Sequence, residues 1–290
     1  MAWKKVNLTC SCVDANIIEE ILIGYEAISI SMVEETSDKP IYEPALGEIP
    51  LWDIVELSAL FAKNITRENI INILEVISYK NLKISLLENQ NWVMKYQNSI
   101  KPKRFGKKLW VIPSWSNYLP AKESINLILD PGMAFGSGSH ETTHLCLEYL
   151  ERAKLNGLNI LDYGCGSGIL SIASLLLGAN IVIATDIDPQ ALKSTRENSK
   201  INNVIEKIHI AKPSSIPNIK IDLIIANIFS NILIDNRNVF SGLIKTESII
   251  VLSGIMRSQL ETILEYYKEF FTMLSVHYRK DWCLVELVKK

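Results

Sequence analysis

One stretch, residues 160–186, constrains the fold more than any other. A short apolar run, Ile160-Leu161, leads into Asp162-Tyr163-Gly164-Cys165-Gly166-Ser167-Gly168, an apolar segment of helical length, and Ile181-Val182-Ile183-Ala184-Thr185-Asp186. This order predicts strand, glycine turn, helix, strand and a terminal acid. Glycine at three alternating positions lets the backbone turn tightly and lets a ligand approach the peptide groups. A helix starting there aims unpaired N–H groups at the same point, and ligands of open α/β sheets sit beyond the carboxyl ends of the strands. Asp186 is placed to accept hydrogen bonds from both hydroxyls of a ribose. A dinucleotide fingerprint would need its third glycine one place later, where Ile169 stands, and Asp162 disfavours a pyrophosphate. A cation suits that acid better. A ligand offering adenosine to Asp186, and an ammonium and a sulfonium near Asp162, answers both acids; S-adenosylmethionine has this chemistry. A purely structural turn would leave both acids unexplained.

Composition bounds the rest. At 290 residues the chain exceeds the usual single domain, so two domains are expected. Hydrophobic residues at 48% and charged residues at 21% describe a globular protein with ample core. A net charge of −2 gives no global attraction to nucleic acid, so any RNA contact must be local. Five cysteines without a C-x-x-C pair argue against a disulfide framework and a structural zinc site. Cys10 and Cys12 are expected on one strand face as packed thiols, no metal site is expected, and the reducing cytoplasm is the expected location. No basic-then-apolar segment opens the chain. The uncharged run 163–185 has membrane-spanning length, but Gly178-Ala179-Asn180 breaks it and β-branched residues follow. A buried helix and strand of a parallel sheet account for it, and a membrane span is excluded.

Along the chain, Trp3 to Cys12 alternates as a strand with Val6, Leu8 and Cys10 on one face, and Asp14 is placed to cap a helix to about Ile23. Strands are expected at 27–33, 51–61 and 82–87, and a helix from Thr66 to about Ser78, with Pro40, Pro44 and Pro50 in a loop. The order β-α-β-β-α-β predicts a ferredoxin-like α+β domain over residues 1–90, a form used to dock protein or RNA. Residues 91–125 read as a linker with a short helix at 91–100. It carries a basic cluster, Lys101, Lys103, Arg104, Lys107 and Lys108, interleaved with Phe105 and Trp110, which suits RNA or an acidic protein surface. A second glycine-rich loop, residues 130–140, contains Gly132, Gly136 and Gly138 with Phe135 and His140, and reads as a lid over the cofactor. A helix over 141–151 follows. From residue 159 strands and helices alternate, with helices expected at 167–177, 189–201, 231–243 and 255–269 and strands at 181–185, 206–210, 221–227 and 248–252, and a terminal strand pair near 273–279 and 282–288 is expected to add an antiparallel strand at the edge. Residues 126–290 therefore predict a doubly wound, Rossmann-like sheet with Asn227 at its carboxyl edge.

Together, Phe135-Gly-Ser-Gly-Ser-His-Glu-Thr-Thr143, Asp162-Tyr-Gly-Cys-Gly-Ser-Gly168, Asp186-Ile-Asp-Pro-Gln190, Ala226-Asn-Ile228 and Leu252-Ser-Gly-Ile255 resemble the ribosomal protein L-eleven methyltransferase family. The likeness covers nearly the whole chain. The cofactor motif is shared by a very large superfamily, whereas the lid motif with the small N-terminal domain is far more specific. The resemblance implies a class I methyltransferase fold and S-adenosylmethionine-dependent methylation of lysine side chains and the N-terminal amine of the large-subunit ribosomal protein L-eleven. It implies that the N-terminal domain recognises that substrate, and it makes Thr143, Gly164, Asp186 and Asn227 cofactor contacts. Ser137 and Ser139 stand where threonine is usual in the lid, and Glu141 where proline often is.

With the residues read above, the cofactor set is Phe135, Thr143, Asp162, Gly164, Gly166, Asp186 and Asn227. Methyl transfer from a sulfonium is an in-line displacement that needs positioning and a neutral amine more than a strong base. A desolvated pocket and a neighbouring positive charge both lower a lysine pKa from its usual 10.4. Asn227, by side chain or nearby carbonyls, and His140 are the two candidates for handling the amine. His144 is expected to pack or cap, and His209 and His277 show no partner pattern. Asn227-Ile-Phe-Ser230 lacks the Asn-Pro-Pro-Tyr of adenine and glutamine-amide methyltransferases, which favours an sp³ amine. A monomer with local ribosomal RNA contact and no membrane association is expected. The rival readings are a lysine methyltransferase for another protein, a noncatalytic ribosome-associated binding protein and, disfavoured by Ile169, a nicotinamide oxidoreductase.

Overall fold

The computed structural model describes residues 3–34, 53–62, 65–75, 77–87, 100–118, 120–130 and 138–290. The chain forms two compact units, Met1–Tyr96 and Gln97–Lys290. The proline loop, most of the helix expected at 91–100, and Gly132, Phe135, Gly136 and Ser137 of the lid lie outside the described residues.

The first unit runs β1 (Trp3–Ser11), α1 (Cys12–Gly24), β2 (Ser29–Glu34), β3 (Ile54–Ala62), α2 (Arg67–Ile73) and β4 (Lys80–Leu87). Its sheet has the order β2-β3-β1-β4, every pair antiparallel, which is the ferredoxin-like arrangement. Alternation puts Val6, Leu8 and Cys10 of β1 and Val55, Leu57, Ala59 and Phe61 of β3 on one face. Ala15, Ile18 and Leu22 of α1 and Ile70 of α2 cover them. Two local expectations change. The cap of α1 is Ser11, whose hydroxyl accepts from the Asp14 amide at 3.1 Å, so Asp14 sits inside the first turn. Cys12 therefore opens the helix and does not share the strand face with Cys10. Thr66 does start α2, through a reciprocal box with Asn69, but the helix stops at Ile73.

The second unit opens with a three-stranded sheet, β5 (Lys103–Phe105), β6 (Leu109–Pro113) and β7 (Ile125–Leu129). Strands β5 and β6 fall within the segment expected as a linker. Phe105, Leu109, Val111, Leu127 and Leu129 form an apolar face that the following helices bury. There follow α3 (Glu141–Arg152), β8 (Asn159–Tyr163), α4 (Ile169–Leu176), β9 (Ile181–Thr185), α5 (Pro189–Ile201) and β10 (Ile208–Ala211). The chain ends with β11 (Ile221–Asn227), α6 (Ser230–Leu243), β12 (Ile244–Met256), α7 (Leu260–Tyr267), β13 (Phe271–Arg279) and β14 (Trp282–Lys289). Strand β12 is longer than the expected 248–252, and α7 is correspondingly shorter.

The large sheet has the order β10-β9-β8-β11-β12-β14-β13. Its first five strands are parallel, and β14 runs antiparallel to both neighbours. The antiparallel strand is therefore one place in from the edge, with β13 outside it. Burial explains the order: Cys283, Leu284, Val285 and Leu287 of β14 are fully buried on both faces, whereas Met273, Leu274 and Tyr278 of β13 are half exposed. The open edge of β7 is closed by side chains. The Asn202 amide donates to the Ile128 carbonyl and accepts from its N–H at 2.8 Å, and Asn198 does the same for Asp130 at 3.0 and 2.9 Å.

Candidate active site

Strand order reverses between β8 and β11, and a crevice at such a switch point is where open α/β sheets bind ligands. Register aligns what stands there: Tyr163 lies opposite Thr185 and Ala226, and Asn227 lies opposite Ser253. The glycine turn, Asp186, Asn227 and Gly254 therefore share one sheet edge.

Gly164, Gly166 and Gly168 all have positive φ. At Gly164 (φ +82°) a Cβ would also run into the Ile228 side chain, and at Gly254 (φ +81°) into the Ile228 backbone. Ile228 is thus seated between two glycines, and that fixes the loop carrying Asn227. The turn hangs on β9, since the N–H groups of Gly164 and Cys165 donate to the Thr185 carbonyl at 2.8 and 2.9 Å. Asp186 accepts from the Gly166 N–H at 3.0 Å and, through its other oxygen, from the Asp188 N–H at 3.0 Å. Each oxygen keeps a lone pair for a ribose hydroxyl.

Asp162, read from the sequence as a carboxylate near the site, lies on β8 just before the glycine turn. It is fully buried, and one oxygen accepts from the Ser171 hydroxyl of α4 at 2.5 Å. Its Oδ1 has no hydrogen-bond partner among the described residues. Burial pushes its pKa up to about 7, with the Asp186 charge adding to the rise and the Ser171 hydrogen bond opposing it. A cation bound at the adjoining turn would compensate this buried carboxylate, so its chemistry fits a sulfonium ligand.

Thr143 and Asn227 are brought together, with the Asn227 amide 3.5 Å from the Thr143 hydroxyl. His140 is the N-cap of α3: its Nδ1 accepts from the Thr142 N–H, and its ring meets Trp282 edge-on at 5.0 Å. Burial lowers its pKa, and its capping bond gives it a structural task that a general base would have to give up. His144 packs on Phe105 and pairs with Glu148, as expected of a packing residue. His277, read as partnerless, instead clusters with Arg152, Ser275 and Glu286. Sequence reasoning named Ile228 only within the Ala226-Asn-Ile228 motif and missed its seat between Gly164 and Gly254, and it missed the contacts of Glu141 and Trp282, which no spacing announces. Among the described residues no cluster of metal-ligating side chains occurs, and no helix is long and apolar enough to cross a membrane.

The strand order, the glycine turn and the acid closing β9 define an S-adenosylmethionine-dependent methyltransferase. Comparison with known proteins agrees and narrows the class. A sequence model described as ribosomal protein L11 methyltransferase (PrmA) matches residues 2–290. Ribosomal protein L11 methyltransferases of Tolumonas auensis and Pseudomonas putida are 36% and 38% identical, over 100% and 97% of both chains. A solved ribosomal protein L11 methylase from Lactobacillus delbrueckii subsp. bulgaricus superposes with a TM-score of 0.61 at 33% identity, covering 66% of this chain and 100% of its own. The chain belongs to the ribosomal protein L11 methyltransferase family. It is an enzyme, its cofactor is S-adenosylmethionine, and the noncatalytic and nicotinamide readings fall away.

Proposed function

We propose that this enzyme transfers methyl groups to amino groups of ribosomal protein L11, both lysine side chains and the N-terminal amine. The observation that carries the reading is the edge on which Gly164, Gly166, Asp186, Thr143 and Asn227 converge, in a chain that matches the family from end to end. The backbone of Gly164 and Gly166 would hold the cofactor, Asp186 its ribose, and Thr143 and Asn227 the end where transfer occurs. Phe135 belongs to the same proposed set. When bound, S-adenosylmethionine supplies the electrophilic methyl group. Asn227 and the carbonyls beside it orient the amine, and His140 serves as cap in preference to base. Neutral amine forms in a site that disfavours a second positive charge.

Residues 1–90 are proposed to recognise the substrate and 126–290 to carry the chemistry. The intervening segment supplies a local RNA-facing surface. Arg104, Trp110 and Asn126 lie in cross-strand register, the Trp110 and Tyr118 rings are 5.1 Å apart, and Lys101, Arg104, Lys107 and Lys108 are exposed. Neighbouring aromatics flanked by cations suit ribosomal RNA. Salt-dependent binding of an oligouridylate, weakened by Lys107→Glu with Lys108→Glu, tests this. A monomer working in the cytoplasm, where its substrate is made, completes the proposal.

Purified enzyme with radiolabelled S-adenosylmethionine and free L11, beside an Asp186→Ala control, tests the main reading. Label on L11 that is lost in the variant is expected. Cofactor binding without transfer would send the search to another protein substrate, and pull-down with residues 1–90 would identify it.

A further inference from the structure

The first turn of α3 is tied down one residue at a time, each to a different strand. His140 meets the Trp282 ring at the start of β14. Glu141 binds Arg279 at the end of β13, and Lys280 of the hairpin turn at 2.6 Å. The Thr142 carbonyl is 3.5 Å from the Ser253 hydroxyl of β12, and Thr143 meets Asn227 of β11. The Glu141 carboxylate is held by two cations, and their hydrogen bonds lower its pKa to about 2, so it is charged at every working pH. The hairpin tip is itself fixed, because the Asp281 carbonyl accepts from the Arg257 N–H at 2.9 Å. Lys280 adopts φ +49°, a conformation that turns the chain at the point where its ammonium reaches Glu141.

We infer that Glu141, gripped by Arg279 and Lys280, is a positioning residue that sets Thr143 against Asn227 and so tunes cofactor affinity from outside the pocket. Only Thr142 separates Glu141 from Thr143 on one helical turn, so a shift of that turn moves the Thr143 hydroxyl relative to a strand that stays in place. The clamp joins the tip of the C-terminal hairpin to the binding edge through charge. The inference rests on Thr143 and Asn227 acting at the cofactor, and the two claims separate experimentally.

Cofactor affinity of the full-length enzyme is measured by calorimetry, and KM and kcat by methyl transfer, for Glu141→Gln, Thr143→Ala and the double variant. Glu141→Gln is expected to weaken cofactor binding about fivefold while leaving the KM for L11 unchanged, and to add nothing in the Thr143→Ala background. Exchange of the charges, Glu141→Arg with Arg279→Glu, is expected to recover part of the loss. A Glu141→Gln enzyme with lower Tm but unaltered cofactor affinity would overturn the inference, as would effects that simply multiply. If Thr143→Ala alone leaves affinity unchanged, the assignment of Thr143 fails first, and with it this route of action.

Discussion

Gly164 and Gly254 are paired by Ile228, which fills the space each leaves. An alanine at Gly164 must both hold φ near +82° and displace Ile228. Gly164→Ala is expected to cost about 1–2 kcal/mol from the backbone alone and to weaken S-adenosylmethionine binding at least about tenfold, read by calorimetry. Asp162 yields a pH prediction. Its folded pKa, about 7, lies above the ordinary carboxylate value, so the folded state binds the extra proton. The stability this contributes is complete below the unfolded value near 3.8 and is lost as pH rises through about 7. A cationic ligand lowers this pKa, so cofactor binding should release a proton and tighten as pH rises toward about 7, by at most about tenfold per pH unit, and level off above it. Asp162→Asn should flatten both profiles in thermal unfolding and in calorimetry run in buffers of different ionisation enthalpy.

Elements succeed or fail by where their backbone groups go. Strand β7 has β6 on one side only, and on the other Asn198 of α5 and Asn202, which caps that helix, act as a surrogate strand. Asn198 reaches further, donating to the Ser167 carbonyl in the glycine turn at 2.9 Å. Asp130, just past the end of β7, is therefore tied to the glycine turn. Asn202→Leu leaves an N–H and a carbonyl of Ile128 unpaired in a half-buried setting and is expected to cost about 2 kcal/mol, seen as a lower denaturant midpoint with unchanged slope. Helix α5 itself was legible to the residue, because Asp188 caps it at 2.8 Å and Pro189 opens it. Helix α1 was legible in place but not in its cap, since Ser11 and Asp14 are both good capping residues three apart and only their geometry chooses between them.

Each of the two units has its own core, so unfolding of the full chain is expected to depart from a single two-state transition. S-adenosylmethionine at a hundredfold excess over its Kd should raise the transition of residues 97–290 by about 2.7 kcal/mol, with intrinsic fluorescence and circular dichroism scans as the check. The alternating periods of 2 and 3.6 and the glycine turn were enough to give both fold classes, the parallel strands and the acid at the end of β9. These follow from local chemistry that a chain segment carries with it. Three features depended on packing between distant segments. Strand β14, not β13, lies beside β12 because it is the strand apolar on both faces. The stretch read as a linker became a sheet because helices α3, α4 and α5 gave its apolar face and open edge somewhere to go. Asp162 turned inward to Ser171, and Glu141 met Arg279 across 138 residues of chain, because a charged side chain takes its partner from whatever the fold places within reach.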